Sequence, residues 1–554
     1  MREERAVLEE LLIRRLSRRQ VVKGLAASGL GLAGLAACRP AGPSPVAGPT
    51  ASPQAAVAVE GDTLVVGLNS DVPPLDPHRT LGWTTMLVML TMGEQLVGAD
   101  LTSGGVGTPP LIPVLAENYE VSPDGKEYTF QLRKGVKFHD GSPFNAAAVE
   151  FNIRRQWDKS FEFYYEPAAR TSFYNYQYLE KIETPDEHTV RLTLKQPWGE
   201  FLRMNSQSWG QQFMLSPEHV KKAGNDAVGE APVMTGPFRF VERVPGERIV
   251  VERNPDYWGT PARAAKIIFR PMAEVAARVA AQLAGDIDIA QYPIPWDNKA
   301  QFEGANMKIS TCDGPYMAYI SLNHKDPIIA KKEVRQAINM AIDKAGLSRA
   351  LHGEWARPAN SILPASSPSY DPDFPGYAYD PQAARELLAK AGHADGFSTQ
   401  IMISEVWQDV AVWIQRNLKE IGIDVTLNKL DFATFGGKWA AGLEEPNGMT
   451  LASWGMTADY WIDLVSRSTR WPPDGVNNGW YANPEVDELL DKAVAATDFE
   501  TRRDDYRQVG KLLHEDAAFV PVFYYKQPVA LSPRIRGFVR ADEDWFQLAT
   551  VYLE

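Results

Sequence analysis

From about residue 60 to the C-terminus, short strand patterns alternate with longer helical ones, and this alternation limits the body to a mixed α/β fold. Thr63–Leu68, Tyr128–Leu132, Thr189–Leu194 and Arg248–Glu252 are β-branched or alternate in polarity, and Gly, Pro or Asp punctuates their ends. Lys332 to Leu347 carries Val334, Ile338, Ala341 and Ile342 at helical spacing. Val410 to Ile421 does the same with Val410, Trp413, Ile414 and Leu418, and a strand, Ile423 to Leu427, follows at once. About 495 residues of this kind can build two or three domains with real cores. No short internal repeat is present.

The first 38 residues have a different character. Arg14, Arg15, Arg18 and Arg19 precede a Gly/Ala/Leu run from Val21 to Ala37, which is too short to span a bilayer permanently. Ser17 to Lys23 (SRRQVVK) is a twin-arginine pattern, a receptor-read export address. The run ends in Leu35-Ala36-Ala37-Cys38, which resembles the lipobox of a bacterial lipoprotein. That resemblance implies acylation of Cys38 and an extracytoplasmic body held at a membrane. Residues 39–59, rich in Pro, Ala, Gly and Ser, are expected to be a flexible tether.

Charge and cysteine content narrow the partners. The chain carries a formal net charge of −13, and the first 37 residues hold seven Arg/Lys against four Glu, so the remainder is more acidic still. Such a surface argues against nucleic acid and anionic lipid. With Cys38 acylated, Cys312 is left alone and no internal disulfide can form. The eight histidines are scattered with no metal-ligand spacing, so no metal or other cofactor is expected. A hydrolase would need a nucleophile elbow, a His-Glu-x-x-His helix or a phosphate loop. None is found: His514-Glu515 starts a zinc motif, but Ala518 stands where its second His must be. No catalytic residue is therefore assigned.

A series of longer motifs carries a family resemblance. Pro113 to Phe144 (PVLAENYEVSPDGKEYTFQLRKGVKFHDGSPF), Thr235-Gly236-Pro237-Phe238, Val251 to Trp258, Val334 to Asp343, Tyr379-Asp380-Pro381 with Ala384 to Leu388, and Asn483 to Asp487 occur in family order. Together they resemble the extracellular solute-binding proteins of the oligopeptide/dipeptide/nickel class, which serve ABC-type importers. Physically, Ser122-Pro123-Asp124-Gly125 and Asp140-Gly141-Ser142-Pro143 are turns and Asn254-Pro255 closes a strand, so these motifs shape backbone and do not touch ligand.

The resemblance implies a two-lobed periplasmic-binding-protein fold with mixed sheets, a hinge and an extra subdomain. Lobe I would comprise 60–92, 205–290 and 525–554, with 93–204 as its accessory subdomain, and lobe II would span 291–524. Hinge crossings are expected near Ile289–Pro293 and Phe523–Tyr525. The family's ligand loop is matched by Trp454 to Tyr460 (WGMTADY), which implies that Asp459 meets a peptide's α-ammonium. Four residues separate Trp454 from Asp459, however, where the family has two. The acidic residue expected after Leu75-Asp76-Pro77-His78 is replaced by Leu81, with Trp83 two positions on. Tyr292 and Tyr525 fall at hinge positions that line the family's cleft, and Trp83 and Trp454 are expected to add aromatic walls to the ligand site. The expectation is a monomeric, non-enzymatic receptor that hands a small ligand to ABC importer permease subunits. An oligopeptide comes first and an oligosaccharide second, since sugar rings stack well on aromatic faces; a secreted hydrolase is the alternative of another class.

Overall fold

The computed structural model describes residues 63–79, 82–103, 108–206, 212–444, 446–456, 458–473, 475–541 and 545–554. The twin-arginine pattern, Cys38 and the tether lie outside these residues. The body is mixed α/β, as its sequence pattern implies, and three sheets organise it.

The first sheet has seven strands in the order Lys308–Ser310, Val529–Leu531, Ile289–Ala290, Thr63–Leu68, Lys266–Pro271, Arg248–Arg253, Phe238–Val244. Thr63–Leu68 lies in its middle, parallel to both neighbours and buried at all six positions. Its continuous Leu/Val run suits a strand covered on both faces. A Cβ at Gly67 would stand 2.6 Å from Ile287 Cδ1, so this strand needs glycine for the packing above it.

The second sheet has six strands in the order Ala356–Pro358, Phe519–Tyr525, Met317–Leu322, Asn447–Trp454, Phe397–Ser404, Ile423–Leu430. Alternation along its strands feeds two cores. Ile320, Leu322, Ile401, Ile403 and Leu451 meet the apolar stripes of helices Lys332–Ala341 and Gln408–Glu420. Tyr319, Met402 and Ala452 face the other way, toward Trp461, Leu490, Tyr506 and Leu513 of helices Trp461–Ser466, Pro484–Ala495 and Phe499–Glu515. The helix expected from Lys332 to Leu347 is two helices. Ile342 is extended, and the Asp343 side chain caps a new helix, Lys344–His352, by accepting from the Gly346 N–H at 2.8 Å.

The third sheet is antiparallel, in the order Ala116–Val121, Glu127–Leu132, Thr189–Leu194, Leu179–Asp186, with helix Ala146–Trp157 among its companions. The Ser122–Gly125 turn closes its first hairpin: the Gly125 N–H donates to Ser122 O at 2.8 Å and Gly125 has φ +67°. Arg155, on that helix, ties this unit to the Leu75–His78 segment. The chain leaves the seven-stranded sheet between Ser310 and Met317 and returns to it between Tyr525 and Val529, because Lys308–Ser310 pairs with Val529–Leu531.

Candidate functional site

Where the chain passes between the two large sheets, half-buried rings gather. Tyr316 immediately precedes Met317–Leu322, and Tyr525 ends the neighbouring strand Phe519–Tyr525. Their rings lie nearly parallel, with centroids 6.3 Å apart. Tyr292, just past Ile289–Ala290, stacks on Tyr525 at 6.2 Å, and Trp407 meets Tyr525 edge-on at 5.9 Å. Trp83, the first residue of helix Trp83–Met89, sets its edge against Tyr316 at 5.1 Å and stacks on Trp545 at 3.7 Å. Three predicted residues, Trp83, Tyr292 and Tyr525, thus come together through Tyr316. Sequence reading missed Tyr316, Trp407 and Trp545; for Tyr316 the available signal was a ring placed directly before a strand.

Polar groups hold this cluster in place. The Tyr525 hydroxyl shares a 2.5 Å hydrogen bond with Ser453 Oγ. Asn69 Nδ2 donates to Tyr292 O at 2.9 Å, while Gln291 Oε1 accepts from the Asn69 N–H at 3.1 Å. Arg278, 1% exposed, donates to Gln291 O, Met272 O and Pro293 O at 3.0, 2.5 and 2.8 Å. Burial lowers its pKa to about 10, and the three carbonyls satisfy the fork while fixing the backbone on either side of Tyr292.

Trp454 and Asp459 lie elsewhere. Adjacent strand residues point to opposite faces, so Ser453 reaches Tyr525 while Trp454 turns toward Trp439 and Trp461, edge-on at 5.5 and 6.2 Å. Asp459 is 2% exposed. It accepts from Ser367 Oγ, from the Ser369 N–H at 3.1 Å and from Ser369 Oγ at 2.7 Å. Burial and the nearby Glu200 raise its pKa to about 6 against the pull of those bonds. Its carboxylate is therefore engaged by the Ser367–Ser369 loop.

The motif segments perform structural work that the sequence left open. Tyr257 Oη and Trp258 Nε1 donate to Glu94 at 2.7 and 2.8 Å, and burial raises this carboxyl to about 7. Asn254 closes its strand by donating from its N–H to Pro237 O at 2.9 Å and from Nδ2 to Gly236 O at 3.2 Å. Among the described residues, no group of three or more His, Cys, Asp or Glu side chains could hold a metal ion. Cys312 is buried and forms no disulfide among the described residues.

Residues 110–478 match the family model for bacterial extracellular solute-binding proteins, family 5, middle region. The chain belongs to this family. Among curated relatives it is 32% identical to the glutathione-binding protein GsiB of Pectobacterium atrosepticum, over 89% of this chain and 94% of that one. It is 30% identical to GsiB of Escherichia coli K12, over 87% and 93%. Among solved structures it superposes on the periplasmic binding protein DppA of Helicobacter pylori, in complex with the peptide STSA, with a TM-score of 0.78 and 28% identity, covering 89% of this chain and 98% of that one. The fold is thus that of two-lobed periplasmic binding proteins, and as a family 5 member this chain is a substrate-binding protein of ABC import. Among the described residues, no helix is long and apolar enough to cross a membrane.

Proposed function

We propose that the chain captures a short peptide at the ring cluster, closes two lobes over it about a hinge and delivers it to the permease subunits of an ABC importer. One observation carries this reading: rings from both large sheets, Trp83 and Tyr292 on one side and Tyr316 and Tyr525 on the other, converge where the chain passes between them. Relatives named for glutathione and a neighbour holding a four-residue peptide support a ligand of that size. Half-buried rings offer flat apolar faces to side chains, while strand ends offer backbone groups for a peptide's own N–H and C=O. Lobe I would comprise 60–92, 205–290 and 525–554, with 93–204 attached, and lobe II 291–524. Export through the twin-arginine route, anchoring through Cys38 and a monomeric state complete the proposal. The family's solute-binding members support a receptor over a hydrolase, and incubation with peptides followed by a search for products checks that choice.

An oligosaccharide is the second reading. Tyr292, Tyr525 and Tyr316 lie within 30° of parallel in succession, and such faces also suit sugar rings. Thermal-shift screening of peptide and oligosaccharide libraries separates the two, because a ligand that binds the native state raises the melting temperature by mass action. Glutathione is the first peptide to test. The best hit is then measured against Asp459→Asn and after N-acetylation. A peptide hit indifferent to both removes Asp459 from the ligand site and leaves the rings. An oligosaccharide hit with no peptide hit overturns the peptide reading.

A further inference from the structure

Pro197–Glu200, just beyond strand Thr189–Leu194, reaches from the four-stranded sheet into the helices that cover the six-stranded one. Trp198 is fully buried, with its ring 5.4 Å from that of Tyr460. The Gly199 N–H donates to Val494 O at 3.0 Å, and a Cβ at Gly199 would lie 2.0 Å from Ala496 O, so only glycine allows this approach. Glu200 pairs with Arg502 Nε at 2.7 Å, with side chains 4% and 12% exposed. Around this tongue, Gln177 Nε2 donates to Tyr460 Oη at 2.8 Å and Gln177 Oε1 accepts from Arg470 at 2.8 Å. Thr108 Oγ1 donates to Ser366 O at 2.6 Å.

The same unit is bound just as firmly on its other side. Arg155 holds Asp76 and His78, and the Asn152 side chain both donates to Leu215 O at 2.9 Å and accepts from the Leu215 N–H at 2.9 Å. Chain connections at both ends of 93–204 lead to that side, whereas no direct connection leads to helices Pro484–Ala495 and Phe499–Glu515. A swing of the lobes must therefore part the tongue from those helices, because the other side is tethered by the chain itself.

We infer that Pro197–Glu200 is a closed-state latch, an intramolecular docking surface that holds the four-stranded unit against the second lobe when the ligand is enclosed. This rests on the hinge motion proposed above, and it places control of ligand release outside the ring cluster. Closing the latch buries an ion pair and a tryptophan together, so the closed form gains contacts that the open form lacks, which is the requirement for any two-state closure.

The test uses the mature protein with Gly199→Val, Glu200→Arg, Arg502→Glu and the double reversal Glu200→Arg/Arg502→Glu, and glutathione as probe. Each single variant is expected to raise the radius of gyration in small-angle scattering, to speed hydrogen exchange at residue 199 and to speed glutathione dissociation by about tenfold or more, as when one charge of a buried pair is left alone. The double reversal is expected to recover part of each loss. Single variants that scatter, exchange and release probe like the parent overturn the latch. So does a uniform loss of melting temperature with no recovery in the double variant, which would mark the pair as ordinary packing. A chain that does not bind glutathione counts against the peptide reading alone, and scattering, exchange at residue 199 and release then decide the latch with the best hit of the library screen in place of glutathione.

Discussion

Arg155 grips Asp76 with both arms of its guanidinium, Nη2 to Oδ2 at 2.7 Å and Nη1 to Oδ1 at 3.1 Å, and both side chains are buried. The same Nη1 donates to His78 Nδ1 at 2.9 Å, and His78 Nε2 donates to Phe213 O at 3.0 Å. One helix of the four-stranded unit is thereby locked to the loop after the central strand of the first sheet. Burial alone would push the Asp76 carboxyl up, but Arg155 and His78 outweigh it and hold the carboxyl below its ordinary value.

Removing one member of this pair should therefore destabilise the fold severely. Arg155→Met or Asp76→Asn is expected to cost about 3–5 kcal/mol, the usual penalty for stranding a buried charge or its partner. Joint replacement by apolar residues should cost less than the two single losses added together. Urea midpoints of the three variants check this, and additive losses would show that the two groups do not act as a pair.

Acid should unfold the protein through its buried histidines. Burial lowers His78 to about 3 and His139, His324 and His352 to about 4, all below the ordinary 6.5. The unfolded chain thus takes up these protons first. The stability they contribute is complete above pH 6.5 and is lost as pH falls toward 4, by about 1.4 kcal/mol per pH unit for each histidine. His352→Phe should make that slope shallower by one proton, since His352 already packs on Phe523 with ring centroids 4.8 Å apart. Chemical denaturation between pH 4.5 and 7 gives the slope, and an unchanged slope in the variant would count against the assignment.

Glu94 acts in the opposite direction. Its folded-state pKa of about 7 stands above the ordinary 4.5, so its protonated form favours folding at low pH and that contribution is lost as pH rises through 7. Glu94→Gln should weaken this alkaline loss while keeping one acceptor for Tyr257 or Trp258. Comparing parent and variant midpoints at pH 5 and pH 8 tests the sign: the variant should gain relative to the parent at pH 8.

At the ring cluster, Tyr525→Phe keeps the stacking faces and loses the Ser453 bond, a change worth about 1 kcal/mol. Tyr525→Ala removes the face shared with Tyr292, Tyr316 and Trp407, and ligand affinity should fall about tenfold or more. Isothermal titration with the best hit of the library screen ranks the two variants. Equal losses would point to the hydroxyl, not the ring, as the working group.

The proposed export and anchoring rest on residues outside the described fold. Cys38→Ala should leave an unprocessed or soluble precursor, and Arg18→Lys with Arg19→Lys should stop export by the twin-arginine route. Metabolic labelling with a fatty acid, followed by membrane fractionation, reads both; an acylated membrane form of Cys38→Ala would sink the lipobox assignment.

Local elements and family membership were legible in the residue pattern alone. Thr63–Leu68 and Thr189–Leu194 are strands over the residues their patterns indicated, and Ser122–Gly125 is the turn its Pro, Asp and Gly require, because short-range sterics and side-chain period decide such features. The break at Ile342 was legible in principle from Asp343, yet the apolar spacing ran through it unchanged. The tertiary structure decided which chemistry-bearing residues meet. Tyr292 and Tyr525 stack across more than two hundred residues of chain, and Asp459 goes to Ser367 and Ser369 while Ser453, six positions before it, goes to Tyr525. A loop motif specifies residue types but not the direction of the strand that presents them. One pleat separates Ser453 from Trp454, and that pleat sends neighbouring side chains to opposite faces of the sheet, one toward the rings and the other into the core.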